Sequence, residues 1–379
     1  MRNSSHLKSV FLLCFCIVTL SMQLWSAPID SIMARKAATN FYNWETGRSV
    51  GITYAQLAYI QQTNSYDTNV QAAPINAFYV FNFGNHFVMI SADTRVFPIL
   101  AYSTESDFSI KNMPENLMFF LNEYVREIEI IIRDVTDEES ETTTAEWNQW
   151  LSGEITMMAT NSAVGPLIQT KWNQNTPYNS MCPVDAGGSG GHALSGCVAC
   201  AMAQIMRYWQ YPLSGTGSNS YTPENNNYGT LSVDFSAATY DYSLMPLSLN
   251  YSTPQAQINE VAKLMYHCGV AANMEYGPTA SSASTSQAVT AFRNYFGFGN
   301  TVSSVCQLSY SSSNWLSLIK NELNHLRPVF YRGQGSSGGH AFVCDGYNNM
   351  NQLHFNWGWG GVLRRLLYRV LPKSRELQF

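Results

Sequence analysis

Residues 134 to 147, DVTDEESETTTAEW, split the chain into two halves whose apolar patterns run in opposite order. Before this acidic, Thr-rich stretch, strand-like runs lead into a helix-period run; after it, helix-period runs lead into strands. That arrangement predicts two α+β units, each with its own layers, and 379 residues are enough for two cores. The break itself, taken as 134–162 and continuing into the weakly patterned MMATNSAVGPL, reads as a linker and possible processing region.

In the first half, AFYVFNF, HFVMISAD and FPILAYS read as strands, with Gly84-Asn85 as the turn between the first two. Leu117, Leu121, Tyr124, Ile128 and Ile131 then recur on one helix face, and Pro114 sits where a first helical turn tolerates it. Residues 28–133 therefore form a small α+β unit without a catalytic cluster, since His86 stands alone in a strand. Ahead of it, Arg2 and Lys8 precede the short apolar run SVFLLCFCIVTLSM, followed by small residues at Ser26 and Ala27. This is the pattern of a secretory signal peptide over residues 1–27 and predicts export, to the periplasm or beyond.

Export accords with the composition: 12% charged residues against 22 Tyr and 9 Trp make a polar but weakly charged surface. A net charge of -5 leaves no basic footprint for nucleic acid, and no stable membrane association is expected.

The second half holds the chemistry. In SGCVACAMAQIMRYWQYP, Cys197 follows Gly196 and begins a helix-period run, with further helices predicted at 254–268 and 285–296 and strands from RPVFYRG onward. A thiol in a first helical turn meets unpaired N–H groups and the positive end of the dipole, which favour thiolate. Cys200 lies one turn deeper. On these residues alone the pair is open to four readings: a redox couple, half of a metal site, packed thiols, or one nucleophile and a bystander. No second close pair of ligands supports zinc.

In GGHAFVCDGYNNMNQLHFNWGWGG, alternation puts His340, Phe342 and Cys344 on one strand face, and NNMNQ reverses the chain. A hairpin symmetric about Asn348 predicts His340 opposite Asn356, whose amide would then orient the imidazole, with Trp357 and Trp359 as a shield. His340 follows Cys197 by 143 residues, within the roughly 130 to 150 of papain-like proteases.

Together with TKWNQNTPYNSMCP and LMYHCGVAANMEYG, these motifs resemble the streptopain family of secreted bacterial cysteine endopeptidases, in family order over 163–361. The first half is similar to the propeptides of that family. The resemblance implies a papain-like catalytic domain behind an inhibitory propeptide, acting on protein or peptide substrates with no cofactor or metal. It implies Cys197 as nucleophile, His340 as general base and acid, Gln174 as oxyanion donor, Asn356 and Trp357 as orienting and shielding residues, and Ser282 and Gly339 as cleft residues that bond substrate backbone.

Two departures stand out. Cys200 replaces a usual Thr, and the tail VLRRLLYRVLPKSRELQF, 362–379, lacks the family's continuation and carries 5 of the 21 basic residues. A frameshifted or truncated end predicts an unpaired sheet edge; an amphipathic basic helix is the other reading. Three function classes follow: a cysteine endopeptidase made as a zymogen, a disabled protease-like binding protein, and a thiol-disulfide oxidoreductase using both Cys197 and Cys200.

Overall fold

The computed structural model describes residues 28–63, 74–111, 115–134, 137–155, 163–224, 227–335, 338–360 and 366–368. The signal-peptide segment and Pro114 lie outside them.

Helix α1 (Ser31–Thr46) starts where Asp30 accepts the N–H groups of Ile32 and Met33 at 2.9 and 2.8 Å, and it ends at Gly47. Strands β1 (Gln56–Gln62), β2 (Asn76–Asn82), β3 (Phe87–Ser91) and β4 (Ile99–Ser103) form one antiparallel sheet in that order. Its central strands are buried on both faces, which is why they read as continuous apolar runs. Alternation sorts them: Phe78 and Val80 join the core of α2 (Glu115–Asp134), while Tyr79 and Phe81 join that of α1 and α3 (Asp137–Ser152).

Helix α3 corrects the linker expectation. Most of 134–162 that is described is helical, and Trp147 and Trp150 are fully buried against α1; the Trp147 indole N–H donates to the Val96 carbonyl at 2.9 Å. Two tryptophans supply enough apolar surface to anchor an otherwise acidic helix.

The second unit begins with α4 (Cys197–Trp209), the hairpin β5 (Ser218–Tyr221) and β6 (Leu231–Asp234), then α5 (Gln255–Ala271), α6 (Thr285–Asn294) and α7 (Ser312–Asn324). Its main sheet is antiparallel in the order β10-β9-β8-β7, from β7 (Val329–Gly335), β8 (Gly338–Tyr347), β9 (Leu353–Asn356) and β10 (Leu366–Tyr368). Ala341 and Val343 of β8 pack into the α4 core. Phe342 and Cys344 face the opposite way, into a core shared with α2 and the first sheet. The two units are thus joined through one face of the β7–β9 sheet, with Lys171 and Glu105 paired at 3.5 Å and Gln352 donating to the Ile99 carbonyl at 3.2 Å.

Of the tail expectation for 362–379, only Leu366 to Tyr368 fall within the described residues; they pair with Phe355 to Leu353, so β9 has a neighbour on its outer edge, and the basic residues of the tail lie outside the described residues.

Candidate active site

Cys197 is the first residue of α4, as its sequence position predicts. Gly196 sets the approach with φ +84, and a Cβ there would lie 2.8 Å from Met274 Sδ, so both conformation and space exclude a side chain. The Cys197 sulfur forms no hydrogen bond among the described residues, but the backbone N–H groups of Ala341, Val198 and Cys197 itself are close enough to act on it. Burial raises its pKa above the ordinary thiol value; these three donors and the charge of Arg332 act in the opposite direction.

Gln174 sits beside this turn, its carbonyl accepting the Ser195 N–H at 3.1 Å. Its side-chain amide forms no hydrogen bond among the described residues and is only partly buried, which leaves it available to a ligand. Cys200 is buried beneath the turn after β9. Its Sγ is 4.0 Å from the Gly358 carbonyl, and a Cβ on Gly358 would come within 2.8 Å of that sulfur. Both cysteines are free thiols, and burial drives the Cys200 pKa well up, a poor setting for disulfide exchange.

The alternation expected for β8 holds, and it places His340 on the face away from α4. Its Nε2–H donates to the Trp357 carbonyl at 2.9 Å, and its ring stacks on Trp359 at 4.8 Å and on Trp357 at 6.0 Å, within 17° and 8° of parallel. Burial lowers the imidazole pKa to about 4, partly opposed by the bond to Trp357. Cys197 makes no hydrogen bond to His340; the β8 group that acts on the sulfur is the Ala341 backbone N–H.

The expected pairing of His340 with Asn356 is not formed. Asn356 stands opposite Val343, because the reversal is centred on Met350 and Asp345 bulges out of register between Cys344 and Gly346. The Asp345 carboxylate pins that bulge, accepting from Ile168 N at 2.8 Å and His354 Nδ1 at 2.5 Å. The Asn356 amide donates to the Thr170 carbonyl at 2.8 Å and accepts the Gly358 N–H at 3.1 Å, so here it holds the Trp357 turn rather than the imidazole.

Ser282 lies beside the Ser281 that packs on Gly196, but its own N–H and carbonyl are bonded to Glu275 at 3.0 and 2.8 Å. That leaves its hydroxyl as the group it can offer a substrate. Gly339 lies under the Arg332 guanidinium, whose Nε and Nη2 are 3.4 Å from where its Cβ would be. Sequence reasoning missed Ala341 and Arg332; the signals were the odd-numbered face of β8 and the even-numbered face of β7, readable only once the orientation of the strands to α4 is known. Among the described residues no three His, Cys, Asp or Glu side chains gather as a metal site, and no helix is long and apolar enough to cross a membrane.

A thiol at a helix N-terminus, a facing strand that carries a histidine, and a free amide beside the turn are the parts of a cysteine peptidase. The profile of the peptidase C10 family matches residues 172–364. The chain belongs to the peptidase C10 family. It is accordingly a cysteine endopeptidase with the papain-like architecture of C10 enzymes. The profile of the Spi protease inhibitor matches residues 26–128, the unit built on the first sheet. Among C10 relatives, streptopain of Streptococcus pyogenes is 35% identical over 303 residues, 75% of this chain and 71% of that one. The thiol protease/hemagglutinin PrtT of Porphyromonas gingivalis is 28% identical over 310 residues, 79% of this chain and 34% of its own length. Among solved structures, a fragment of prointerpain A from Prevotella intermedia superposes with a TM-score of 0.63 at 29% identity, covering 82% of this chain and 92% of that one. Active wild-type interpain A from the same organism gives 0.52 at 34% identity, covering 57% and 91%.

Proposed function

We propose that the chain is the latent precursor of an exported C10 endopeptidase, in which the N-terminal unit holds His340 away from Cys197. The observation that carries this reading is the placement of the two groups: the thiol lies at the start of α4 with donors around it, while the imidazole is sealed into the core shared with the inhibitor-type unit. Export rests on the sequence of residues 1–27, and processing on the part of 134–162 that follows α3.

Once that unit leaves, the Gly338-Gly339 end of β8 has the freedom to bring the His340 ring to the sulfur. His340 then takes the thiol proton, and the thiolate attacks the peptide carbonyl carbon. The oxyanion receives hydrogen bonds from the Gln174 amide and the Cys197 N–H, each such donor worth about 3 kcal/mol in the transition state. Collapse expels the amine, protonated by His340, and leaves a thioester that water hydrolyses with His340 again as base. In this reading Asn356 and Trp357 orient and shield the imidazole in its new position, and the Ser282 hydroxyl and Gly339 line the cleft.

The test is to incubate the purified chain with reductant and follow self-processing and casein hydrolysis in parallel with variants. Cys197→Ala should abolish both, and Cys200→Thr should keep both. Loss in Cys200→Thr with retention in Cys197→Ala would reverse the assignment. A folded chain that stays silent even after the region following α3 is cut would favour the binding-protein reading.

A further inference from the structure

The cleft contains a charge that the reaction above does not use. In β7, Phe330 packs with the α4 core while Val329 and Tyr331 turn to the opposite core, so strand alternation puts Arg332 on the nucleophile's face. Arg332 stands directly opposite Ala341, whose backbone N–H acts on the Cys197 thiol. Its guanidinium covers Gly339, and Nη1 reaches Thr285 Oγ1 at 3.4 Å.

Thr285 opens α6, whose first turn has no acidic residue. Among the described residues Arg332 is half-buried and, like Arg48, Arg207 and Arg293, has no carboxylate partner; those three bond a tyrosine or a carbonyl elsewhere, whereas Arg332 lies on the face of Cys197. A partly desolvated guanidinium with unused donors is matched in shape and charge by a carboxylate, which it can grip through two parallel hydrogen bonds.

We propose that Arg332 gives the cleft a cationic subsite, so that the enzyme prefers peptides carrying an aspartate or glutamate side chain close to the scissile bond. This rests on Cys197 being the nucleophile. The peptide supplies the negative charge that the protein leaves out, in a place where water is already partly excluded and the ion pair is weakly screened. Reach is short, since neighbouring strands are about 5 Å apart, so the preferred residue is a near neighbour of the cleaved bond.

The experiment uses the full chain after processing under reductant, assayed on peptide pairs that differ only by Glu or Gln at each position flanking the cleaved bond. At one position the Glu peptide should have the higher kcat/KM, by about 10-fold, and the preference should shrink as salt is added. Arg332→Gln should bring the Glu and Gln peptides to parity, and Arg332→Glu should turn the preference toward Lys at the same position.

If the unsubstituted enzyme cleaves Glu and Gln peptides equally at every position, or if the Glu preference survives both substitutions, the proposal is wrong and the endopeptidase reading stands. Removal of Arg332 should by itself move the pH profile of thiol alkylation upward; a loss in Arg332→Gln that is equal for the Glu and Gln peptides, leaving their ratio unchanged, would confine Arg332 to that effect and also overturn the proposal. Failure to cleave any peptide, together with an unreactive Cys197, would remove the endopeptidase reading and this inference with it.

Discussion

Cys197 and His340 are each held in their uncharged form. Burial raises the thiol and lowers the imidazole, to about 4, so near neutral pH neither group carries the charge that a thiolate-imidazolium pair requires. The sign for the thiol is direct: a raised pKa means that thiolate, the reactive form, accumulates only at higher pH than for an ordinary cysteine. Alkylation of Cys197 by iodoacetamide in the intact precursor should therefore stay slow through neutrality and rise only in the alkaline range. After processing the same cysteine should react near neutral pH. A precursor that alkylates as readily as the processed enzyme at neutral pH would show that the pair is already assembled. The position of Cys197 at the start of α4 was legible in the sequence because Gly196 and the apolar period fix where that helix begins. Its neighbours were not, because which β8 residue meets the sulfur depends on the packing of two elements 143 residues apart.

At the level of elements, α3 and the β8–β9 hairpin were the two misreadings, and each has a physical cause. Acid- and Thr-rich composition argues for a solvated segment, but two indoles on one side of a helix outweigh it once α1 offers a surface. The hairpin slips because the side chain of Asp345 holds a bulge that composition does not announce. The helix α4, the three strands around Gly84 and the start of β7 were legible, since each shows a clean period or a short apolar run bounded by turns. If α3 belongs to the inhibitor-type unit, Trp147→Ala, which empties a fully buried site and leaves the Val96 carbonyl without its donor, should destabilise that unit by about 3–5 kcal/mol. The measurement is urea unfolding of the precursor in the Cys197→Ala background, followed by fluorescence and by susceptibility to an added protease. An unchanged midpoint and unchanged susceptibility would mean that α3 is a detachable linker after all.

Across the whole molecule, one core joins the two units: Phe78, Phe87 and Leu121 from the first, with Tyr331, Phe342, Phe355 and Trp357 from the second. His340 stacks within this aromatic cluster, so its protonation state bears on how the units hold together. The unfolded imidazole takes up a proton near pH 6.5, whereas the buried one does so only near 4. Between those values the unfolded chain binds more protons, so the stability that the neutral ring confers is fully present above about 6.5 and is lost as pH falls toward 4, by up to about 3 kcal/mol. His267, also lowered to about 4 by burial, contributes a slope of the same sign from within the second unit. Substituting one ring at a time separates them. In the Cys197→Ala precursor, the melting temperature should fall as pH is lowered through this window, and His340→Gln should remove part of that slope while His267→Gln removes another part. If the effect of His340 is local to the shared core, the added protease should also release the N-terminal unit faster at pH 5 than at pH 7, and this acceleration should be smaller in His340→Gln. A slope unaltered by His340→Gln would separate the histidine from the docking of the two units and leave the aromatic core alone to hold the precursor closed.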